Sequence, residues 1–180
     1  RLILRLLDGN MALKDGDIIT LDYEGRTEGV LFDTTLEKIA KKEDSIVENR
    51  VYAPITVVVG DGRLVPGLEN DLKNAKVGKT TEVKISPEDA YGPRDTKLIE
   101  TMSVSKFRRL FPNAKGFVVE EVNIEGKMGI LANVYGSRVR VDFNPGLAGK
   151  ELTFKYTVNS TIKKVDEKIK ALFNMEYPSD

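Results

Sequence analysis

The chain has 180 residues, 41% of them hydrophobic, with 28 Lys and Arg balanced by 28 Asp and Glu. It can therefore bury a sizeable core, and it carries no net field favouring nucleic acid or an anionic membrane. Cysteine and histidine are both absent, which excludes disulfides, thiol chemistry, Ser-His-Asp triads and the commonest zinc sites, and fits a reducing cytoplasm.

Residues 1–10 hold a short apolar run interrupted by Arg5, too short to span a bilayer; its place before Met11 predicts a leader or cloning remnant with no native role. Ile19, Leu21 and Tyr23 alternate with Thr20, Asp22 and Glu24 and predict a strand with one buried face. Gly25 and Gly29 read as the brackets of a turn before Val30–Thr35. Leu36, Ile39 and Ala40 have helical spacing, predicting an amphipathic helix over 36–43 that bulges from the sheet.

The stretch Val57–Leu72 organises the rest. Val57 and Val59 alternate with Thr56 and Val58, Gly60-Asp61-Gly62 lets the backbone reverse, and Pro66-Gly67 opens a helix carrying Leu68, Leu72 and Ala75 on one stripe towards a stop at Gly78. Leu64, Val65 and Leu68 line the start of that helix. Open backbone groups beside apolar side chains make a device for holding a peptide carbonyl next to an apolar ring. A phosphate loop at Gly60-x-Gly62 does not fit, because the third glycine has the wrong spacing and no Gly-Lys-Ser/Thr follows.

Thr81, Val83 and Ile85 predict another strand, closed by Ser86–Pro93. From about 97 to 142 the texture becomes that of a small β-rich subdomain: a helix near Ser103–Leu110, then strands near Phe117–Ile124, Met128–Tyr135 and Arg138–Phe143. Leu152, Phe154, Tyr156 and Val158 return to the first pattern. A final helix is predicted to carry Ile162, Val165, Ile169, Leu172 and Phe173 on one stripe.

Tyr23, Phe32, Tyr91 and Phe154, each unremarkable alone, join these elements in a pattern. Leu21-Asp-Tyr23-Glu-Gly25, Leu31-Phe32-Asp33-Thr-Thr, Gly62-Arg-Leu-Val-Pro-Gly-Leu68, Glu88-Asp-Ala-Tyr91-Gly92 and Leu152-Thr-Phe154 resemble, in order and spacing, the FKBP family of peptidyl-prolyl cis/trans isomerases. The block at 97–142 falls where that family's flap lies, and its exit, Val141–Lys150, looks like the SlyD-type branch, in which an insert-in-flap domain binds polypeptide as a chaperone. The 36–43 insertion and the ending at Phe173–Asp180 resemble longer archaeal members, which continue into a further domain.

The resemblance implies an α+β fold, an antiparallel sheet wrapped on a short helix, with the isomerase domain at 11–96 and 143–165, the insert at 97–142 and a C-terminal helix at 166–180. It implies a proline pocket built from Tyr23, Phe32, Ile55, Val57, Leu64, Val65, Leu68, Tyr91 and Phe154. The Tyr91 hydroxyl and Val65 N–H would bond substrate carbonyls, Asp33 would sit close to Tyr23, and Ala90 and Leu147 would form the rim. Leu68 stands where macrolide-binding members have tryptophan and Ile55 where they have an aromatic wall, so the pocket is less aromatic. Pro145 stands where a histidine can occur and no histidine-rich tail is present, so no metal or other cofactor is implied.

The expected partners are unfolded or proline-containing polypeptides, captured by an apolar groove in the insert that includes Phe117, Val119, Ile130, Val134 and Tyr135. The rival reading is a non-catalytic peptide-binding holdase on the same fold. Lys106-Phe-Arg-Arg109 is a solvated face rather than a nucleic-acid site. If the groove exists, Leu2–Leu7 is a candidate occupant.

Overall fold

The computed structural model describes residues 12–115, 121–124 and 127–177. The predicted leader and Phe117–Val119 lie outside them. The chain forms two compact units, one from the segment up to Ala90 together with the segment from Lys150 onward, the other Tyr91–Gly149.

The first unit is built on β1 (Ile18–Thr27), which pairs antiparallel with β9 (Leu152–Ile162) along nearly its whole length. The other side of β1 is shared, its first half with β3 (Ile55–Val58) and its second with β2 (Val30–Thr34), while β4 (Thr80–Ile85) pairs with the far side of β9. Period-two patterning explains the core. Ile19, Leu21, Leu152, Tyr156 and Val158 are each 1% exposed or less, so one face of the sheet is dry.

That face receives α2 (Pro66–Leu72), whose Leu68 and Leu72 are buried. Pro66 occupies the first turn, where a missing N–H costs nothing. The helix stops at Leu72 and does not run on towards Gly78. Turn bonds from the N–H of Asn74 to Asp71 O and of Ala75 to Leu72 O close it, and Ala75 is buried from outside the helix. The Tyr156 hydroxyl donates to Asp71 Oδ2 at 2.6 Å, fastening α2 to β9.

Gly25 does not bracket a turn. It lies inside β1, opposite Asp33 and Phe154, and the reversal comes later at Glu28 and Gly29, both at positive φ (51° and 81°), as a tight hairpin requires. Gly25 is needed for space: a Cβ there would lie 2.6 Å from the Phe32 ring and 3.0 Å from that of Phe154.

The predicted excursion is α1 (Glu37–Lys42), followed by an irregular segment to β3. At the other end, Ile162 belongs to β9, and α4 (Val165–Glu176) has no buried residue. Its apolar stripe exists but faces solvent, with Val165 68% and Ile169 and Phe173 each 62% exposed. Among the described residues no helix is long and apolar enough to cross a membrane.

The second unit is a four-stranded antiparallel sheet in the order β5 (Ile99–Ser103), β8 (Arg138–Asp142), β7 (Lys127–Tyr135), β6 (Glu121–Ile124), with α3 (Val104–Leu110) capped by the Ser103 hydroxyl. β5 escapes the sequence reading because Ile99 and Met102 are three apart and carry no strand period. The core is Met102, Phe107, Phe111, Val122, Leu131, Val139, Val141 and Phe143. Phe107, Phe111 and Leu131 are therefore interior. Ile130 is half-buried, and Val134 and Tyr135 are each 41% exposed.

Gly25→Ala should lower stability to denaturant by about 1–3 kcal/mol, the range for overpacking against fixed rings. Gly146→Ala, with nothing within 4 Å of its added methyl, should leave the midpoint unchanged.

Candidate active site

Strand pairing brings three aromatic residues over Gly25. Tyr23 lies two residues earlier on β1, Phe154 lies directly across on β9, and Phe32 is the extra residue of a bulge in β2, where the register shifts between Gly25 and Arg26. A bulge re-aims one side chain without ending the pairing. The Phe154 ring centroid is 5.7 Å from that of Phe32, edge to face, and 6.1 Å from that of Tyr23. Phe154 is buried whereas Tyr23 and Phe32 are half-buried, so the cluster is open on one side.

Asp33 holds this opening. Its Oδ2 accepts the Tyr23 hydroxyl at 2.5 Å, and its Oδ1 accepts the Thr34 N–H at 2.9 Å and pairs with Arg50 at 2.7 Å. Thr34 and Thr35 lock β2 onto β1 through Tyr23: the Thr34 hydroxyl donates to Tyr23 O at 2.8 Å, and the Tyr23 N–H donates to the Thr35 hydroxyl at 2.9 Å. Burial, then the hydrogen bond and charge of Asp33, push the Tyr23 phenol well above the ordinary tyrosine range. Tyr23 is thus a fixed neutral donor.

Arg50 is absent from the sequence reading. It donates to Thr34 O at 3.0 Å as well as pairing with Asp33, and its guanidinium lies 5.3 Å from the Tyr52 ring centroid. The Tyr52 hydroxyl in turn accepts the Val47 N–H at 3.1 Å. In Glu48-Asn49-Arg50-Val51-Tyr52 the arginine looks like any loop charge. The only local hint is the tyrosine two residues on, and the turn that aims the arginine, with Asn49 at φ 62°, is visible only in the structure.

The second group of predicted residues lies where β3 leads to α2. Val65 is the extended residue before the helix; its carbonyl accepts from Leu68 and Glu69, and its own N–H has no partner among the described residues. Leu68 is 1% and Val57 3% exposed. Ile55, Val57 and Leu64 line a cleft shared with α4. Ala90 ends the single turn Pro87–Asp89 and is half-buried. Tyr91 and Leu147 belong to the second unit, Tyr91 49% exposed and Leu147 half-buried.

Tyr156 titrates like Tyr23, raised by burial and then by Asp71. A phenol that ionises less readily folded than unfolded adds stability that is complete below the ordinary value of 10.0 and is lost as pH rises above it. The unfolding free energy should therefore fall as pH is raised beyond 10.0, and Tyr23→Phe should make that decline shallower in denaturant titrations.

Residues 9–108 match the family model described as FKBP-type peptidyl-prolyl cis-trans isomerase. The chain is 35% identical over 147 residues to the short-type peptidyl-prolyl cis-trans isomerase of Methanocaldococcus jannaschii, an alignment covering 81% of this chain and 92% of that protein. It is 29% identical over 161 residues to SlyD of Pasteurella multocida, covering 88% of this chain and 74% of that protein. SlyD of Escherichia coli is 29% identical over 154 residues, covering 84% of this chain and 71% of that protein. Matched by that family model over more than half of its length and by the Methanocaldococcus jannaschii protein across most of both chains, the chain belongs to the family of FKBP-type peptidyl-prolyl cis-trans isomerases.

Proposed function

We propose that the open side of the Tyr23–Phe32–Phe154 cluster receives the proline ring of a polypeptide, with Leu68 as its floor and Ile55, Val57 and Leu64 continuing the apolar wall. The observation that carries this reading is the Val65 N–H, which has no partner among the described residues and stands at the head of α2, where it can bond a substrate carbonyl. By the family resemblance the Tyr91 hydroxyl is assigned to a second carbonyl and Ala90 and Leu147 to the rim, while Asp33 fixes Tyr23.

Isomerisation needs no acid or base. The barrier to rotation, roughly 18–20 kcal/mol, comes from amide resonance, and the twisted amide has lost that resonance and part of its charge separation. A dry pocket that grips the ring while the preceding carbonyl swings favours the twisted form over either planar one. Each ~1.4 kcal/mol of such preference gives a decade in rate. One hydrogen bond contributes about 1 kcal/mol net, so shape and desolvation carry most of the effect.

The second unit serves as a chaperone module: Ile130 and the exposed Val134 and Tyr135 offer apolar surface to unfolded chain, which is passed to the pocket. A cytoplasmic site of action fits a chain without cysteine.

Val65→Pro tests the donor. Val65 has φ −63° and an N–H with no partner among the described residues, so proline fits the backbone and removes the hydrogen while exchanging the isopropyl group for an apolar ring. The variant should fold and lose about tenfold in kcat/KM on an X–Pro peptide, whereas Tyr91→Phe should lose less than that. An unchanged rate in Val65→Pro would discard the carbonyl contact.

Replacing residues 97–142 by a short loop should preserve peptide isomerisation and abolish the acceleration of proline-limited protein refolding. Equal loss of both activities would deny the units separate roles.

A further inference from the structure

We propose that the cleft between β3 and α4 is a second substrate subsite, which takes the extended polypeptide segment flanking the proline. The proposal rests on the reading of Ile55 and Leu64 as pocket wall, because both also line this cleft of about 400 Å³.

Among the described residues β3 is paired on one side only, with β1. Just beyond the strand, both backbone groups of Val59 turn towards β1: its N–H donates to Asp17 O and its carbonyl accepts from Gly16, each at 2.9 Å. Hydrogen-bonding direction alternates along a strand, so Val57 and Ile55 also face β1, and Thr56 presents its N–H and carbonyl at the free edge. Thr56 lines the cleft. An unpaired edge recognises an extended backbone, which adds as a further strand while its alternate side chains enter adjoining pockets.

The opposite wall supplies such a pocket. Ala171 and Met175, one helical turn apart on α4, face Ile55 and Leu64 across the cleft. α4 has no buried residue, and an ion pair between Arg63 and Glu176 holds its last turn to the segment leading into α2. A helix so lightly seated leaves room beside the edge for a strand and one apolar side chain. Backbone pairing at Thr56 selects an extended polypeptide rather than a compact small molecule, and the shared Ile55 and Leu64 make the cleft continuous with the proline site.

The test compares a four-residue X–Pro peptide with a ten-residue one bearing apolar residues on both sides of the proline. On the unmodified chain the longer peptide should be turned over with about tenfold higher kcat/KM, and the Thr56 amide should shift and exchange more slowly only in its presence. Ala171→Trp, which fills the cleft, should bring the ratio of the two peptides close to one, whereas Ile169→Trp on the exposed face should leave it unchanged. Equal turnover of both peptides with an unperturbed Thr56 amide would overturn the subsite and leave the proline pocket standing. No turnover of the short peptide would overturn the pocket and, with it, the subsite.

Discussion

The ladder between β1 and β9 carries the first unit. It runs from Ile18 opposite Ile162 to Arg26 opposite Thr153, so its two strands are separated in sequence by β2, β3, α2, β4 and the whole second unit. Closing so long a connection should slow folding, yet the entropic cost grows only with the logarithm of loop length, about 0.6 kcal/mol per doubling. The second unit reduces even that by bringing its own ends together. Phe143 donates to Leu98 O at 2.9 Å, and Gly149 donates to Gly92 O at 2.8 Å. Seen from β9, a folded insert acts as a short link.

The site follows from that ladder. Because Gly25 faces Phe154 in register and Asp33 on the other side, one position on β1 fixes an aromatic ring and a carboxylate at once. The bulge adds Phe32, and the missing Cβ lets both rings lie on the strand backbone. Asp33, a half-buried carboxylate, is bonded by Tyr23, Thr34 and Arg50, which keeps its charge satisfied and leaves the Tyr23 ring as a wall with a single orientation. The irregular segment after α1 thereby contributes Arg50, backed by Tyr52. Rotation about an amide moves a carbonyl and transfers no proton, so the proposed pocket needs a rigid apolar wall rather than an acid or a base.

Strands with an uninterrupted two-residue period, β1, β4 and β9, were legible because burial on one face leaves that pattern and no other. Gly25 was misread because glycine marks both a turn and a close approach, and only the partner strand reveals which one applies. β5 left no trace because its apolar residues are spaced by three, and Arg50 because a loop arginine has no sequence partner until a turn aims it. The α4 stripe was legible as a pattern, but its exposure was not: hydropathy gives the face of a helix and does not say what lies opposite. The aromatic cluster was legible only through the family resemblance, because Tyr23, Phe32 and Phe154 come from three separate strands and meet only when those strands pair.

The second unit has a closure as well as a core. Asp142, 5% exposed, would be costly as an isolated charge. It forms an ion pair with Arg94, and its Oδ1 accepts from the Asn144 N–H at 2.8 Å and Nδ2 at 2.7 Å. Asn144 Nδ2 also donates to Asp95 O at 3.0 Å, and the Asp95 N–H returns to Asn144 Oδ1 at 2.8 Å. These residues come from the entering and leaving segments, so the two crossings are tied to each other by charge as well as by backbone. A shift of one segment past the other would strand a buried carboxylate. This stem therefore resists fraying by the same bonds that bury the Asp142 charge, while Val134 and Tyr135 on β7 remain exposed.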